Sequence, residues 1–241
     1  MDSLKIALLG YGKMGKEIET LALERGHSVI LKINSKNKAE LTIEALRKCD
    51  VAIEFSRPDS VMENINRCFE VNLPLVVGTT GWYAELENVK VLCARKEQTL
   101  LYASNFSVGV NIFFDINRKL ALLMNKRNEY DVSITEIHHT EKLDKPSGTA
   151  ISIANQVIES LHQKRKWVVD KESPDASELN IQTKREEGVI GVHEVHYHSP
   201  IDELIIQHKA FSRKGFAEGA LLAAEYIYKR KGLFTMQDVL Q

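Results

Sequence analysis

The spacing of apolar and polar positions follows two rhythms, and the change between them falls near residue 107. Before that point short apolar runs take turns with stretches of helical period. Residues 4–9 form a strand-like run broken by Gly10, and apolar positions then recur at helical spacing from Met14 to Glu24. Gly26 closes that helix; residues 28–33 predict a second strand, residues 41–48 a short helix and residues 51–55 a third strand. Pro58 has no amide to give a ladder, so the third strand ends before it. Ser60 stands where it can cap a helix reaching about Val71. Residues 75–77 predict a fourth strand, residues 83–96 a further helix and residues 99–103 a fifth strand. Apolar strands alternating with helices in this way predict a parallel sheet covered on both faces.

After Ser107 the pattern lengthens. A helix is expected over about residues 110–124, an extended run over 130–137, a helix over 149–161 and a polar stretch over 163–178. Strand-like runs return at 179–183, 189–197 and 203–210, with Ser199-Pro200-Ile201-Asp202 as a turn, and a helix over 216–231 is punctuated by Gly232. Strands with few helices between them predict an open, partly antiparallel sheet. The chain therefore reads as two domains, residues 1–107 with 213–241 and residues 108–212, the last helix and tail returning to complete the first.

Composition narrows the class. Hydrophobic residues make up 44% and charged residues 27% of the chain, the usage of a folded soluble domain, which excludes a disordered tail, a coiled coil or a collagenous repeat. The formal net charge of -1 gives no global field for nucleic acid or an anionic membrane. No apolar run approaches the roughly 20 residues that span a bilayer, and the run Ile6–Leu9 is too short for the core of a signal peptide. Cys49, Cys68 and Cys93 are scattered and odd in number; they read as buried thiols in a reducing compartment, the cytoplasm.

Gly10-Tyr11-Gly12-Lys13-Met14-Gly15 ends the first strand and opens the first helix. The first glycine permits the tight turn, the second lets a pyrophosphate reach the backbone, and the third lets helix and strand pack closely. The amides at the helix N-terminus then hold the anion. In this position the hexapeptide predicts a Rossmann-like dinucleotide-binding domain, while glycines of an ordinary turn are the plainer alternative. The carboxylate expected about 20 residues further on, at the ribose 2′-hydroxyl, is missing: the second strand runs out as Lys32-Ile33-Asn34-Ser35-Lys36-Asn37-Lys38. Lys32, Lys36 and Lys38 are suited to a 2′-phosphate, so NADPH is expected to be accepted at least as well as NADH; a solvated, lysine-rich loop is the competing explanation.

Residues 136–150, Glu-Ile-His-His-Thr-Glu-Lys-Leu-Asp-Lys-Pro-Ser-Gly-Thr-Ala, concentrate chemistry. A strand delivers His138 and His139 to opposite faces, Lys142 follows in a loop, and Pro146 precedes Ser147-Gly148-Thr149 at a helix start. The small residues there leave backbone amides and two hydroxyls for a carboxylate. An imidazole, an ammonium and an anion hole together suit a reaction on a small dicarboxylate.

These segments, with FSRP at 55–58, VVGTTGW at 76–82 and ASNFSVGVN at 103–111, resemble the dihydrodipicolinate reductase family. The resemblance continues in order through Arg185, Gly188, Gly191-Val192-His193, His208-Lys209-Ala210, Arg213 and Phe216–Ala220. It implies an α/β fold, with a Rossmann-like domain and a smaller α+β domain for substrate binding and oligomerisation. It also implies an oxidoreductase of the diaminopimelate route to lysine, reducing 4-hydroxy-tetrahydrodipicolinate to tetrahydrodipicolinate with NADPH, NADH or both. On the same footing it implies His138 as acid/base, Lys142 as proton donor, and His139, Ser147, Gly148 and Thr149 against the cyclic dicarboxylate. The cofactor would lie on Gly10, Tyr11, Gly12, Lys13, Met14 and Gly15, with Asn34 and Ser35 in the ribose region. Gly78, Thr79, Thr80, Ala103, Ser104, Asn105 and Phe106 would lie along the nicotinamide side. A homotetramer is implied as well. The chain departs from the family in its short segment between the second and third strands, in the missing ribose carboxylate, and in Glu54-Phe55-Ser56 where Asp-Phe-Thr is common.

Other residues carry less. Glu194, His196 and His198 share a strand face, but no cysteine or second acidic cluster joins them in the sequence, so no metal is expected. His193 is expected near the substrate or in a supporting hydrogen bond, His27 and His162 at the surface, and Trp82 and Trp167 in packing roles. Two other readings stay open: another dehydrogenase of amino-acid metabolism, such as an aspartate dehydrogenase, and a module that senses NAD(P)H without turnover. The histidine–lysine run argues against the first, and intact His138 and Lys142 against the second.

Overall fold

Ile6, Ala7, Leu8 and Leu9 are all shielded from water because their strand is covered on both faces. Ala7 and Leu9 enter one apolar cluster, Ile6 and Leu8 the other, as the period-2 alternation of a strand requires. The computed structural model describes the chain from Asp2 to Gln241. It divides into two units, one running to Val108 and resuming over Arg213–Gln241, the other Gly109–Ser212.

The first unit contains β1 (Lys5–Leu9), α1 (Lys13–Glu24), β2 (Ser28–Ile33), α2 (Ile43–Leu46), β3 (Val51–Glu54), α3 (Val61–Glu70), β4 (Leu75–Val77), α4 (Leu86–Arg95) and β5 (Thr99–Tyr102). The helix α5 (Val108–Met124) leads into the second unit, with β6 (Asp131–His138), α6 (Gly148–Ser160), β7 (Lys166–Val169), β8 (Glu178–Arg185), β9 (Gly191–His198) and β10 (Glu203–Ala210). The chain then returns to the first unit as α7 (Lys214–Ile227), β11 (Gly232–Phe234) and α8 (Met236–Leu240).

The first sheet has the order β11-β5-β4-β3-β1-β2 and is parallel throughout. Residues of α1 and α7 fill one face, including Ile18, Leu21, Ala220 and Ile227. Those of α3 and α4, including Ile65, Cys68, Val89 and Cys93, fill the other. The direction of winding reverses between β1 and β3, so a crevice opens beyond their carboxyl ends. The second sheet, β10-β9-β6-β8-β7, is mixed: β6 runs parallel to β8 and antiparallel to β9. Its inner face carries Val132, Ile134, Ile181, Val195 and Tyr197, packed on Phe113 and Phe114 of α5 and Ile153 and Val157 of α6.

Several expectations are corrected. Ser60 occupies the N-cap position of α3 but does not cap it; its backbone is already helical and its hydroxyl donates to Asp59. The helix expected over 83–96 begins as a 3-10 turn, and that over 41–48 shrinks to α2, capped by Thr42, whose Oγ1 accepts from the Ala45 amide at 3.1 Å. The polar stretch hides β7, and the tail beyond Gly232 holds β11, pairing with β5, and α8. His27 is buried: its Nδ1 accepts from the Leu4 amide at 3.1 Å and its Nε2 lies 2.9 Å from Glu225, fastening α7 beside β1.

Candidate active site

In the first unit the chain turns at the end of β1 because Gly10 adopts a φ of 110°, open to glycine alone at low cost. A Cβ at Gly10 would lie 2.0 Å from the Phe55 carbonyl oxygen, where the chain leaves β3. Gly15 is equally confined, its Cβ position 2.4 Å from the Gly10 oxygen. At Gly12 nothing lies within 4 Å, so the fold does not require glycine there and the backbone is left open to a ligand. A cleft of about 360 Å³ adjoins this turn, lined by Gly10, Tyr11, Gly12, Asn34, Ser35 and Phe55 among others. Lys13 and Met14 form the first turn of α1, whose amides face no carbonyl of their own helix.

The ribose side of the cleft differs from expectation in one respect. Lys32 is committed: its Nζ lies 3.0 Å from Glu19, which also accepts from the Tyr11 hydroxyl. Lys38 lines the cleft and Lys36 is exposed. The Asn34 Oδ1 accepts from the Lys36 amide at 2.8 Å, which orients that side chain within the turn. The floor is anchored by Glu54, fully buried at the end of β3, which accepts from the Ser56 amide at 3.1 Å and from the Ser56 hydroxyl. Burial pushes the Glu54 carboxyl up, partly offset by hydrogen bonds from Ser56, Thr79 and Asn64.

Gly78, Thr79 and Thr80 follow β4, and Ala103, Ser104, Asn105 and Phe106 follow β5, on the same edge of the sheet. Thr79 is buried; its hydroxyl accepts from the Ser56 amide and its carbonyl from the Trp82 indole. The ring of Phe106 is in the core beside Phe55, 5.5 Å between centroids, and its carbonyl abuts Gly219. It shapes the segment by packing.

In the second unit the inward positions of β6 read Val132, Ile134, Glu136, His138. Glu136 is wholly buried. Its carboxylate accepts from the Ser147 amide at 3.1 Å and from Arg185 Nη1 at 3.4 Å. His138 Nδ1 stands 3.6 Å from it and His193 Nε2 3.9 Å. Sheet register assembles these groups: Glu136 is paired with His193 on β9, and His138 with Arg185 on β8. The guanidinium continues outward, giving Nε to the Lys142 carbonyl at 3.3 Å and Nη2 to the Asp144 carbonyl at 2.7 Å. Lys142 Nζ lies 2.7 and 2.8 Å from the two Asp144 oxygens.

Burial lowers the His138 pKa; Glu136 opposes this, while Lys142 and Arg185 add to it. Burial pushes His193 down to about 3, with the neighbouring imidazoles and Lys142 acting in the same direction. Burial works to raise the Asp144 carboxyl, but the Lys142 ammonium outweighs it and the net shift is downward. His139 is half-buried with its Nδ1 unpaired. At the helix start, Ser147 also has partners within the fold. Its Oγ caps α6 by accepting from the Ala150 amide at 3.1 Å and lies 3.2 Å from His193 Nε2. Gly148 is exposed and Thr149 half-buried in the same turn.

Motif reading passed over Glu136 and Asp144, and noted Arg185 only as part of a resemblance. A charged residue on the inward-facing set of an otherwise apolar strand was the signal for Glu136. Two groups have donor atoms within 4.8 Å of one another, Glu136, His138 and His193, and His196, His198 and Glu203. In the first, Arg185 and the Ser147 amide already occupy the carboxylate. In the second, the acidic partner is Glu203, paired with His198 across β9 and β10, while Glu194 accepts from Gln207.

A phosphate-type turn at the reversal of a parallel sheet, together with a buried acid–imidazole cluster beside a lysine, describes a dinucleotide-dependent oxidoreductase. Residues 4–106 match the family model described as "Dihydrodipicolinate reductase, N-terminus" and residues 109–240 that described as "Dihydrodipicolinate reductase, C-terminus". The chain belongs to the dihydrodipicolinate reductase family. It is 45% identical over 237 residues to the 4-hydroxy-tetrahydrodipicolinate reductase of Christiangramia forsetii, covering 98% of each chain. It is 32% identical over 268 residues to the enzyme of that name from Neisseria meningitidis serogroup A, covering 100% of this chain and 98% of the other. Its fold is similar to that of a dipicolinate-bound dihydrodipicolinate reductase from Paenisporosarcina sp. TG-14, with a TM-score of 0.76 at 22% identity, covering 97% and 98% of the two chains. The family uses NADH or NADPH, and the first unit is its dinucleotide-binding part.

Two predictions arise from this geometry. Gly10→Ala is expected to lower stability by about 2–4 kcal/mol or to prevent folding, whereas Gly12→Ala is expected to keep the wild-type melting temperature and weaken NADH binding about tenfold or more. Calorimetry and a fluorescence titration read both; a Gly12→Ala protein with unchanged affinity would remove the cradle assignment. Second, His193 is held neutral in the fold but accepts a proton near pH 6.5 when unfolded. The unfolded state therefore binds more protons below that pH, and stability falls as pH drops from about 6.5 toward 3, by up to about 1.4 kcal/mol per pH unit. Urea midpoints between pH 7.5 and 5 should fall less steeply in His193→Gln, and parallel curves would count against the assignment.

Proposed function

We propose that the chain performs its family's reaction, the reduction of 4-hydroxy-tetrahydrodipicolinate to tetrahydrodipicolinate on the diaminopimelate route to lysine, with Lys142 and His138 handling the proton. The observation that carries this reading is the cluster in which one buried carboxylate, Glu136, touches the helix start at Ser147 and Arg185 and stands beside His138, while Arg185 secures the loop bearing Lys142.

The dinucleotide, when bound, supplies the hydride. Gly10, Tyr11, Gly12, Lys13, Met14 and Gly15 receive its pyrophosphate at the start of α1. Asn34 and Ser35 face the ribose. Gly78, Thr79, Thr80, Ala103, Ser104 and Asn105 border the nicotinamide, with Phe106 shaping that border from the core. Lys38 and Lys36 supply positive charge for a 2′-phosphate, and Lys32, already answered by Glu19, supplies little, which supports use of both cofactors.

Loss of the 4-hydroxyl as water gives the conjugated imine; hydride addition to it leaves an electron-rich enamine whose carbon must take a proton. Lys142 is suited to give it and His138 to accept and return protons, a contribution of about 10²–10⁴-fold for such a group. The Lys142–Asp144 pair is half-exposed, so a substrate carboxylate can replace Asp144 at the ammonium. His139, the Gly148 amide and Thr149 receive the second carboxylate. Ser147 holds the turn that presents them.

A homotetramer is proposed through the second unit. β10 is an edge strand, and Ile201 and Phe211 beside it are 87% and 83% exposed, the kind of edge and apolar surface that association covers. The free thiols Cys49, Cys68 and Cys93 suit the cytoplasm.

In an assay coupled to the upstream synthase with pyruvate and aspartate semialdehyde, absorbance at 340 nm should fall with NADPH at least as fast as with NADH. Lys142→Ala should lose about a hundredfold or more in kcat while still binding cofactor. Cofactor binding without oxidation in the wild type would retire the reading, and a specificity constant for NADH tenfold above that for NADPH would retire the lysine-loop argument. Light scattering should return four times the mass of one chain, reduced in Phe211→Glu; a monomeric wild type would refute the assembly.

A further inference from the structure

Glu136 does more in this arrangement than fill a buried position. Of the two His138 ring nitrogens, Nδ1 is sealed from solvent and has no hydrogen-bond partner. The carboxylate stands 3.6 Å from it. The same carboxylate binds the Ser147 amide, which begins α6, and Arg185, which holds the carbonyls of Lys142 and Asp144. Imidazole, helix start and lysine loop thus share one anion.

We infer that Glu136 is a positioning residue: it holds His138 as the Nδ1–H tautomer, leaving Nε2 to accept a proton, and fixes the Lys142 loop against that ring through Arg185. The inference rests on the reading of His138 and Lys142 as the proton-handling pair. The geometry answers the obvious objection that His193 is the true partner. His193 Nε2 is farther from the carboxylate, at 3.9 Å, and is 3.2 Å from the Ser147 hydroxyl.

The charges facing His138 come from every neighbouring element: Glu136 on its own strand, Lys142 and Asp144 from the loop, Arg185 on β8 and His193 on β9. Of these, Glu136 is the closest negative charge. Its loss leaves Lys142 and Arg185 less opposed, so His138 becomes harder to protonate.

The test uses full-length protein labelled with ¹⁵N-histidine, with His138 resonances assigned by comparison with His138→Gln. Two-bond proton–nitrogen spectra distinguish the tautomers without substrate. Wild type should show Nδ1–H. Glu136→Gln should show a mixed or reversed tautomer, a His138 titration shifted down by about one pH unit, and a matching shift in the acid limb of kcat/KM. Its kcat should fall at least tenfold with unchanged Kd for NADPH. Glu136→Asp should recover the charge and part of the tautomer preference, and it carries the same test if the glutamine variant does not fold. An Nε2–H tautomer in the wild type, or a wild-type tautomer and titration in folded Glu136→Gln, would overturn the inference. An inactive wild type with the expected tautomer change would retire the reductase reading and leave the positioning role standing.

Discussion

A carboxylate with no access to water must be answered by donors, and the geometry of the second unit follows from how Glu136 is answered. Its donors come from elements far apart in sequence, the Ser147 amide at the start of α6 and Arg185 on β8, and the imidazoles of β6 and β9 stand beside it at 3.6 and 3.9 Å. Removing one side of such a buried charged cluster typically costs about 3–5 kcal/mol, so each partner is held to its place by a large penalty. Arg185 transmits this constraint to the surface, because the guanidinium that meets Glu136 also holds two carbonyls of the Lys142 loop.

The first unit meets a different demand. Its inner strands are covered on both faces, which leaves no site for chemistry within the sheet. Polar groups gather where ladders stop. Glu54 closes β3 with one oxygen held by Ser56 and the other buried without a partner, while Gly10 closes β1 against the Phe55 carbonyl. The cleft is therefore a consequence of strand ends, and its open point is Gly12, the one glycine of the three in the motif that packing does not demand.

This division explains what the sequence disclosed. The five strands of the first hundred residues were legible because continuous burial writes itself as continuous apolar runs, and the glycine turn because its spacing is local. β7 and β11, of four and three residues, are edge strands that carry too few apolar positions to stand out. α8 announced itself only through Thr235 and Asp238, which form a capping box. His27 looked like a surface residue because its partner, Glu225, is 198 positions away. Likewise the pairing of Glu203 with His198, and of Arg185 with His138, is set by strand register, which no local pattern contains.

Lysines show the same lesson at the level of charge. Lys32, Lys36 and Lys38 look alike in a list of residues, yet Lys32 is already paired with Glu19, which also takes the Tyr11 hydroxyl. Its charge is answered within the fold, whereas Lys38 lines the cleft together with Arg57. Lys142 is paired as well, with Asp144, but its pair is half-exposed. Exposed pairs of this kind add little to stability and exchange readily. On the proposed reading a substrate carboxylate would displace Asp144 with little loss, whereas Glu136, behind it, would keep its place. The site is built from one ion pair that is free to exchange, resting on one that is not.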